Sequence, residues 1–167
     1  MELKECIYGR RSVRKFNQDK PIEEVLLQDI VKAGVMAPSA KNTQPWKFKI
    51  VTKSEDIESI ARQSLYYRWL RKSSAYIVVF LDKKESFEYL KDVQGIGAAV
   101  QTMLLYAHSI GVGTCWVGEI VKKNDEVKEI LGICNDNLQL MALIACGTAM
   151  DDTPLTYTRK SIQDVLI

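Results

Sequence analysis

The segment Gly9–Phe16 reads Gly-Arg-Arg-Ser-Val-Arg-Lys-Phe, and about thirty residues later the segment Ala37–Trp46 reads Ala-Pro-Ser-Ala-Lys-Asn-Thr-Gln-Pro-Trp. The first segment, called the basic loop below, holds four cations and one hydroxyl in eight residues without an acid. The second is a polar loop between two prolines that leads into an apolar strand. Arginine matches phosphate geometry, and amide side chains offer both a donor and an acceptor to a heterocycle. The pair therefore indicates a site for a phosphorylated planar ligand.

Each of these segments also has a purely structural interpretation. The basic loop could be a solvated loop whose arginines pair with local acids. The stretch Ser39–Gln44 could be a turn whose Ser and Asn satisfy their own backbone. A third segment, Gly111–Glu119, carries a glycine at a strand end, where backbone amides can approach a ligand, but it also fits a plain helix stop before a core strand.

Length and composition favour one soluble domain spanning residues 1–167. A chain of this size buries roughly 70% of its unfolded surface, which is enough for a sizeable core. The net charge of +2 is too small to indicate nucleic acid or a membrane surface as a partner. The first residues lack the apolar core of a signal peptide, and no apolar run reaches the ~20 residues that span a bilayer. We therefore expect a reduced, cytoplasmic protein.

Hydrophobic periodicity predicts alternating helices and strands, so the sheet should be covered on both faces. The predicted helices cover residues 2–8, a stretch entered at Pro21 and ended by Pro38, a stretch capped by Ser54, part of 85–110, and a stretch from Asn124 or Asp125 to Gly132. The predicted strands cover 46–52, 75–81 in the centre of the sheet, 114–117 and 138–149, with a further edge strand over 165–167. The polar tail from Asp151 has little local reason to fold alone, and we expect it to lie on another surface such as a second subunit.

Several common kinds of active site are disfavoured. Gly95–Val100 resembles a GxGxxG fingerprint but has Val100 at the third small position and no strand before it, and no P-loop or GxSxG elbow occurs. The four cysteines lack metal-ligand spacing, so we expect no metal site. His108, the single histidine, lies late in an apolar helix and favours a structural role. We assign no catalytic acid or base.

Aromatic and basic residues alternate over residues 66–73. This pattern is typical of helix packing with solvated ends, but it also fits a lid over a stacked ring or a nucleic-acid surface. The near-neutral charge of the chain argues against nucleic acid.

Five segments in this order resemble the nitroreductase family of flavin enzymes, and the match covers nearly the whole chain. They are Arg10–Phe16, Ala37–Ser39 with Asn42–Trp46, Gly95–Ala99 opening a long helix, Gly111–Gly118 and Thr158–Lys160. The resemblance implies an α+β, three-layer α/β/α fold with a mixed, mainly antiparallel sheet. It also implies a homodimer with FMN at the interface and a C-terminal segment, 151–167, that is exchanged between subunits.

The resemblance also assigns cofactor-binding residues. Four residues of the basic loop would hold the FMN phosphate and ribityl chain, with one more phosphate contact from the tail. The polar loop would reach the flavin from the partner subunit, and the backbone after the third strand would face the N5 edge of the ring. In chain order these residues are Arg10, Arg11, Ser12, Arg14, Pro38, Ser39, Asn42, Gln44, Gly118, Glu119 and Arg159.

The function implied is that of an FMN-dependent NAD(P)H oxidoreductase that reduces nitroaromatics, quinones or similar electron-poor acceptors by a ping-pong mechanism. Nothing in the sequence distinguishes NADH from NADPH as the donor. The family's substrate-selecting insertion is reduced to Tyr66–Ser73 or missing, so the acceptor is not defined. A specialised flavin dehydrogenase, a reductive dehalogenase, and a non-catalytic flavin carrier or sensor remain as alternatives.

Overall fold

A computed structural model describes residues 1–150 and 158–167. In chain order its α-helices are α1 (Leu3–Gly9), α2 (Glu24–Val35), α3 (Ser54–Arg62), α4 (Tyr67–Leu70), α5 (Tyr89–Ser109) and α6 (Asn124–Ile130). Its strands are β1 (Trp46–Val51), β2 (Ala75–Asp82), β3 (Gly113–Val117) and β4 (Leu138–Gly147). Short 3-10 turns cover Ala40–Asn42, Glu119–Lys123 and Ile162–Asp164.

The four strands form one sheet in the order β1-β2-β4-β3. All three strand pairings are antiparallel, and β2 lies inside the sheet between β1 and β4. The only parallel pairing among the described residues is an isolated bridge between Ser12 and Thr114. The predicted mainly antiparallel sheet with a central strand at 75–81 is confirmed.

Alternate residues of β2 enter two separate cores, which is why all eight of its residues are buried. Tyr76, Val78 and Phe80 pack on one face with residues of α3, α4 and α6. Ile77 and Val79 pack on the other face with residues of α2 and α5. Because strand side chains alternate between faces, a continuously apolar strand is one that helices cover on both sides. The predicted three-layer arrangement is therefore confirmed.

The long helix α5 begins earlier than the small residues that were expected to open it. It starts at Tyr89, and the buried carboxylate of Asp92 accepts hydrogen bonds from the backbone N–H groups of Phe87 and Glu88 at 3.0 and 3.1 Å. These bonds satisfy donors next to the helix start that would otherwise have no intrahelical partner. Gly95–Ala99 consequently lies inside α5, one turn or more beyond its first residue.

The prediction of an edge strand over 165–167 is wrong. The described tail residues 158–167 contain a single 3-10 turn, Ile162–Asp164, in which the side chains of Ser161 and Asp164 form a capping box. Val165, Leu166 and Ile167 are exposed. Their apolar character alone does not make a strand, because a strand also needs a partner strand for its backbone hydrogen bonds. The prediction for the first part of the tail falls on residues 151–157, outside the described residues.

The basic loop is fastened to the sheet at several points along its length. Val13 donates a backbone hydrogen bond to Thr114 at 2.9 Å, Asn17 donates one to Thr148 at 2.9 Å, and Lys15 accepts one from Met150 at 3.1 Å. Between these points, Phe16 is only 3% exposed and lies in the same core as Tyr76 and Phe80. The loop therefore has a defined position beside β3 and the end of β4.

Candidate functional site

Arg10 lies at the centre of a cationic cluster at the end of α1. Its pKa is lowered by partial burial and then by the positive charges of Arg159 and Arg11. Within the described part of the chain, no carboxylate pairs with the Arg10 guanidinium. Like charges held together in a partly desolvated place destabilise one another unless an anion joins them. The cluster therefore has the chemistry of an anion site, and the interpretation of Arg10 as paired with a local acid is not supported.

The other basic-loop residues differ in what their side chains do. One guanidinium nitrogen of Arg11 donates to the carbonyl oxygens of Tyr8 at 2.6 Å and Arg10 at 2.8 Å, which ties this side chain to the local backbone. Arg14 reaches the Ser12 carbonyl at 3.5 Å and is exposed. Ser12 is exposed beside the strand β3 through its bridge to Thr114. The basic loop thus presents Arg10 and Arg14 outward while Arg11 shapes the turn.

A cleft of about 260 Å³ opens beside Arg14 at the end of β3. Its remaining lining consists of two aromatic residues and the last residues of β3 with the turn that follows, namely Tyr66, Trp69, Cys115, Trp116, Val117, Gly118 and Glu119. The rings of Tyr66 and Trp69 are 5.9 Å apart and tilted by 36°. An aromatic wall opposite a glycine-ended strand suits a flat ligand, because the ring can stack while backbone groups reach its edge. We call this space the aromatic cleft.

The side chain of Glu119 fastens one wall of the aromatic cleft to the other. Its carboxylate accepts hydrogen bonds from the Ser64 hydroxyl at 2.5 Å and from the Leu65 backbone N–H at 2.9 Å. The Ser64 oxygen in turn accepts from the Tyr66 N–H at 3.0 Å. Glu119 therefore positions the segment that carries Tyr66 and Trp69. Sequence reasoning gave Glu119 a backbone role only and missed Ser64, for which no local sequence signal exists.

Replacing Glu119 with alanine is expected to loosen the Tyr66–Trp69 wall. The change leaves the Ser64 hydroxyl and the Leu65 N–H without their acceptor, and we expect the free energy of unfolding to fall by about 1–2 kcal/mol. Cleavage by a protease at residues 64–70 should become faster than cleavage elsewhere. Ser64→Ala is the matched variant: it keeps the Leu65 bond to Glu119 but removes the hydroxyl that donates to Glu119 and accepts from the Tyr66 N–H, so it should loosen the same segment. Equal protection of this segment in all three proteins would contradict the positioning role.

The polar loop has an unusual backbone. Lys41, Asn42 and Gln44 all have positive φ angles, of 49°, 56° and 50°. Residues other than glycine in this region cost of order 1–3 kcal/mol each and tend to cluster at functional sites. The turn is fixed locally by a hydrogen bond from the Gln44 N–H to the Ser39 hydroxyl at 2.9 Å. The Ser39 side chain therefore satisfies the loop's own backbone, which confirms the structural interpretation for the serine but not for the asparagine.

Asn42 differs from its neighbours in this loop. Its backbone carbonyl accepts from the Gln44 side-chain amide at 3.3 Å, but its own side-chain amide has no hydrogen-bond partner among residues 1–150 and 158–167. Asn42 is exposed. A strained turn that presents a free amide outward is what contact with a ligand or another chain requires.

The chain does not bring the polar loop and the basic loop together. Gly95, in the first half of α5, packs against Pro38 and Ser39: a Cβ at this position would lie 3.6 Å from the Pro38 carbonyl oxygen. His108, in the last turn of α5, packs against the basic loop: a Cβ at Gly9 would lie 2.9 Å from its Nε2 atom. Positions 95 and 108 are thirteen residues apart, which is about 20 Å along a helix that rises 1.5 Å per residue. One chain therefore holds two half-sites at opposite ends of α5.

His108 is partly buried, and three of the four cysteines are buried. The pKa of His108 is lowered by burial and then by the charges of Arg10 and Arg11. Cys6, Cys115 and Cys146 are buried, and burial raises the pKa of Cys146 to about 12. The pKa of Cys115 is also raised by burial, although Arg14 and Ser12 act in the opposite direction. A thiol kept in its neutral form is a poor nucleophile.

Neither a metal-binding cluster nor a membrane-spanning helix is found among the described residues. Residues 1–150 and 158–167 contain no cluster of three or more His, Cys, Asp or Glu side chains suited to holding a metal ion. Of the helices in these ranges, none combines the length and the apolar character that crossing a bilayer requires.

The two-faced antiparallel sheet, the cationic basic loop and the aromatic cleft define the architecture of the flavin-dependent reductase class. The family model of the nitroreductase family matches residues 7–67 and 59–148, and the chain belongs to this family. A candidate NADH dehydrogenase/NAD(P)H nitroreductase of Archaeoglobus fulgidus is 33% identical over 156 residues, which is 90% of this chain and 88% of that relative.

Two further relatives carry functional descriptions. A candidate nitroreductase of Desulfovibrio desulfuricans, solved in complex with FMN, superposes with a TM-score of 0.92 at 30% identity and covers 100% of this chain and 96% of its own. The NADPH-flavin oxidoreductase of Vibrio harveyi is 28% identical over 151 residues, 83% of this chain and 62% of that relative. The family membership expected from the sequence is confirmed.

Proposed function

We propose that this protein is an FMN-dependent oxidoreductase that reduces nitroaromatics, quinones or similar electron-poor acceptors with NADH or NADPH. The observation that carries the proposal is the cluster in which Arg159 of the tail and Arg11 lie close enough to Arg10 to lower its pKa, on the basic loop that also reaches the aromatic cleft through Arg14. The FMN-bound relative and the NADPH-flavin oxidoreductase support the assignment. Donor and acceptor would use the aromatic cleft in turn, as a ping-pong mechanism requires.

The residues present fit FMN by their chemistry. The ligand has a phosphate at one end and a flat ring at the other. Guanidinium groups suit the phosphate, since Arg10 lacks a carboxylate partner among the described residues, and the aromatic cleft suits the ring. Arg10, Arg11, Ser12 and Arg159 would hold the phosphate and ribityl chain, Arg14 would approach the ring, and the backbone of Gly118 and Glu119 would face its N5 edge. Pro38, Ser39, Asn42 and Gln44 would be supplied by a partner subunit.

Bound FMN supplies hydride acceptance and donation, which is chemistry that no side chain provides. The protein's part is to bind, orient and shield. Arg14 lines the aromatic cleft, and a preorganised cation of this kind would stabilise negative charge on a ligand bound there. Tyr66 and Trp69 cover the cleft and reduce the access of water. No catalytic acid or base is assigned to the chain.

The separation of the two half-sites supports a homodimer as part of the proposal. Two copies packed across α5 in opposite directions would bring the polar loop of one chain to the basic loop of the other. Gly97 supports this arrangement: it lies in the middle of α5, where glycine costs about 1 kcal/mol relative to alanine, yet a Cβ there would meet nothing within 4 Å. A close approach by another chain would explain the missing side chain. We further propose that residues 1–167 form a single domain and that the tail from residue 151 is exchanged between the two subunits.

A cytoplasmic location is part of the proposal. All four cysteines are free, as is typical of a reducing compartment.

Replacing Gly97 with leucine is expected to convert the dimer to monomers and to lower FMN retention in parallel. The added side chain has space within one chain, so the folded protomer should keep its circular dichroism spectrum and thermal stability. Sedimentation velocity and flavin absorbance on the same sample would test both effects. The control is Glu129→Leu, which places the same side chain on an exposed position of α6. A dimeric, yellow Gly97→Leu protein would contradict packing across α5.

The function is tested by the visible spectrum of the purified protein before and after anaerobic addition of NADH and then NADPH. We expect flavin bands that bleach on addition of the donor and return when a nitroaromatic or quinone is added. Flavin bands that do not respond to either donor would favour a flavin carrier or sensor. A protein that neither carries nor takes up FMN would overturn the proposal.

A further inference from the structure

A second cavity of about 580 Å³ lies next to the aromatic cleft. The two spaces share Arg14 and Trp69 in their linings, so a ligand lying over the ring site could extend past these residues into the larger space. The other lining residues come from the end of the basic loop, from α4 and the turn after it, and from the end of β4; they are Lys15, Phe16, Asn17, Gln18, Asp19, Arg68, Lys72 and Met150. We call this space the cationic groove.

The groove carries a strong excess of positive charge. Among the described residues, its lining includes the cations Arg14, Lys15, Arg68 and Lys72 and one acid, Asp19. Arg10 and Arg11 do not belong to its described lining, so the groove is a different place from the proposed site of the FMN phosphate.

The two cations at the start and end of the α4 segment have no local partner. Arg62 and Arg71, which flank Arg68 along the chain, both pair with Glu58, at 2.8 and 3.0 Å. Arg68 and Lys72, by contrast, make no hydrogen bond or ion pair through their side chains with any residue in 1–150 or 158–167. Arg68 lies in α4 and Lys72 in the turn that directly follows it, and both side chains are exposed and line the groove.

We propose that the cationic groove binds an anionic group, a phosphate or a carboxylate, carried on the substrate that stacks in the aromatic cleft. The inference rests on the proposed function and adds a substrate class to it. One source of the anion is the electron donor, since NADPH differs from NADH by one phosphate. The other is the acceptor, since a carboxylated aromatic ring places a charge at a distance from the group that is reduced. Arg68 and Lys72 act as specificity-determining residues and take no part in hydride transfer.

The test compares the wild-type holoenzyme with Arg68→Gln/Lys72→Gln. Donors are compared as NADPH against NADH, and acceptors as 4-nitrobenzoate against 4-nitrobenzamide. The control, Lys49→Gln/Lys53→Gln, removes two exposed charges from β1 and the residues after it. Binding of NADP⁺ and NAD⁺ by calorimetry, and of 4-nitrobenzoate and 4-nitrobenzamide, gives a readout that does not depend on turnover.

We expect the groove variant to lose about five- to ten-fold in kcat/KM and in affinity for the member of one pair that carries the additional anionic group, with less than about two-fold change for the member that lacks it. The loss should arise in KM and should shrink at high salt, because exposed charges are screened. A selective loss with NADPH identifies the donor as the source of the anion, and a selective loss with 4-nitrobenzoate identifies the acceptor. Equal changes within both pairs, or no change beyond that of the control, would overturn the inference.

The proposed function is judged separately in the same experiment. Wild-type protein that retains FMN and oxidises NADH supports that function whatever the variant does, and wild-type protein that does neither contradicts it before the groove variant is considered.

Discussion

Replacing Arg10 and Arg159 together with alanine is expected to leave the purified protein colourless. Both guanidinium groups belong to the cationic cluster at the end of α1, and each would contribute about 1.5–3 kcal/mol as a charge-assisted hydrogen bond to the FMN phosphate. The combined loss of about 3–6 kcal/mol corresponds to a dissociation constant roughly 10²- to 10⁴-fold larger. Fluorescence titration of the apoprotein with FMN measures this change directly. The folded chain should remain, because removing like charges from a crowded place relieves repulsion.

Arg11→Ala provides the comparison for this double variant. The Arg11 guanidinium already donates to the Tyr8 and Arg10 carbonyl oxygens, so its removal should act through the shape of the turn and weaken FMN binding less than Arg10→Ala does. Riboflavin, which lacks the phosphate, gives a second comparison: its affinity should be nearly the same for wild type and the double variant. Unchanged FMN retention in the double variant through gel filtration would remove these two residues from the phosphate site.

Replacing Phe16 with alanine is expected to lower the free energy of unfolding by about 3–5 kcal/mol, as is usual for a buried phenylalanine. Phe16 is the residue by which the basic loop enters the core, so FMN affinity should fall as well. Gly147 allows this contact: a Cβ there would lie 2.8 Å from the Phe16 Cγ atom and 3.1 Å from its Cβ atom. A Cβ atom at position 147 would therefore clash with the Phe16 side chain. Chemical denaturation and FMN titration of the same protein measure the two effects.

Two further variants separate the contact from general destabilisation. Phe80→Ala removes another buried phenylalanine of the same core and should lower stability by a similar amount while FMN binding to the folded protein stays near wild type. Gly147→Ala should cost about 1–3 kcal/mol in the wild-type background through overpacking and much less in Phe16→Ala, where the space has been vacated. Additive effects of the two changes would contradict direct contact between Phe16 and Gly147 as the cause.

Much of the fold could be predicted because its signals are local. The run from Ala75 to Leu81 is apolar on both faces, and this pattern is typical of a strand that is covered on both sides. The polar and apolar alternation after Trp46 identifies β1 in the same way. The basic loop was recognisable because four cations without an acid are a local property of composition. The ends of elements were predicted less accurately: β4 ends at Gly147, whereas the predicted strand extends to residue 149.

The features that sequence reasoning missed depend on distant residues. The bond between Glu119 and Ser64 joins positions 55 residues apart, and neither residue type signals it. The positive φ angles at Lys41 and Asn42 follow from how the polar loop packs beside α5, since lysine has no intrinsic preference for that conformation. The edge-strand prediction failed for the same reason: Val165–Ile167 has the composition of a strand, but strand formation depends on pairing with a distant segment. The alternation of aromatic and basic residues over 66–73 does not show which cations are paired. Only the folded structure shows that Glu58 pairs with Arg62 and Arg71 and leaves Arg68 and Lys72 without it.

The length of α5 has a thermodynamic consequence for the proposed dimer. If each cofactor touches the basic loop of one chain and the polar loop of the other, subunit association and cofactor occupancy are one linked equilibrium. Dilution would then empty the sites even where the intrinsic affinity of an intact dimer is high, and excess FMN would draw separated chains back together. In that arrangement, half-sites separated by about 20 Å along α5 would make the prosthetic group part of the quaternary structure.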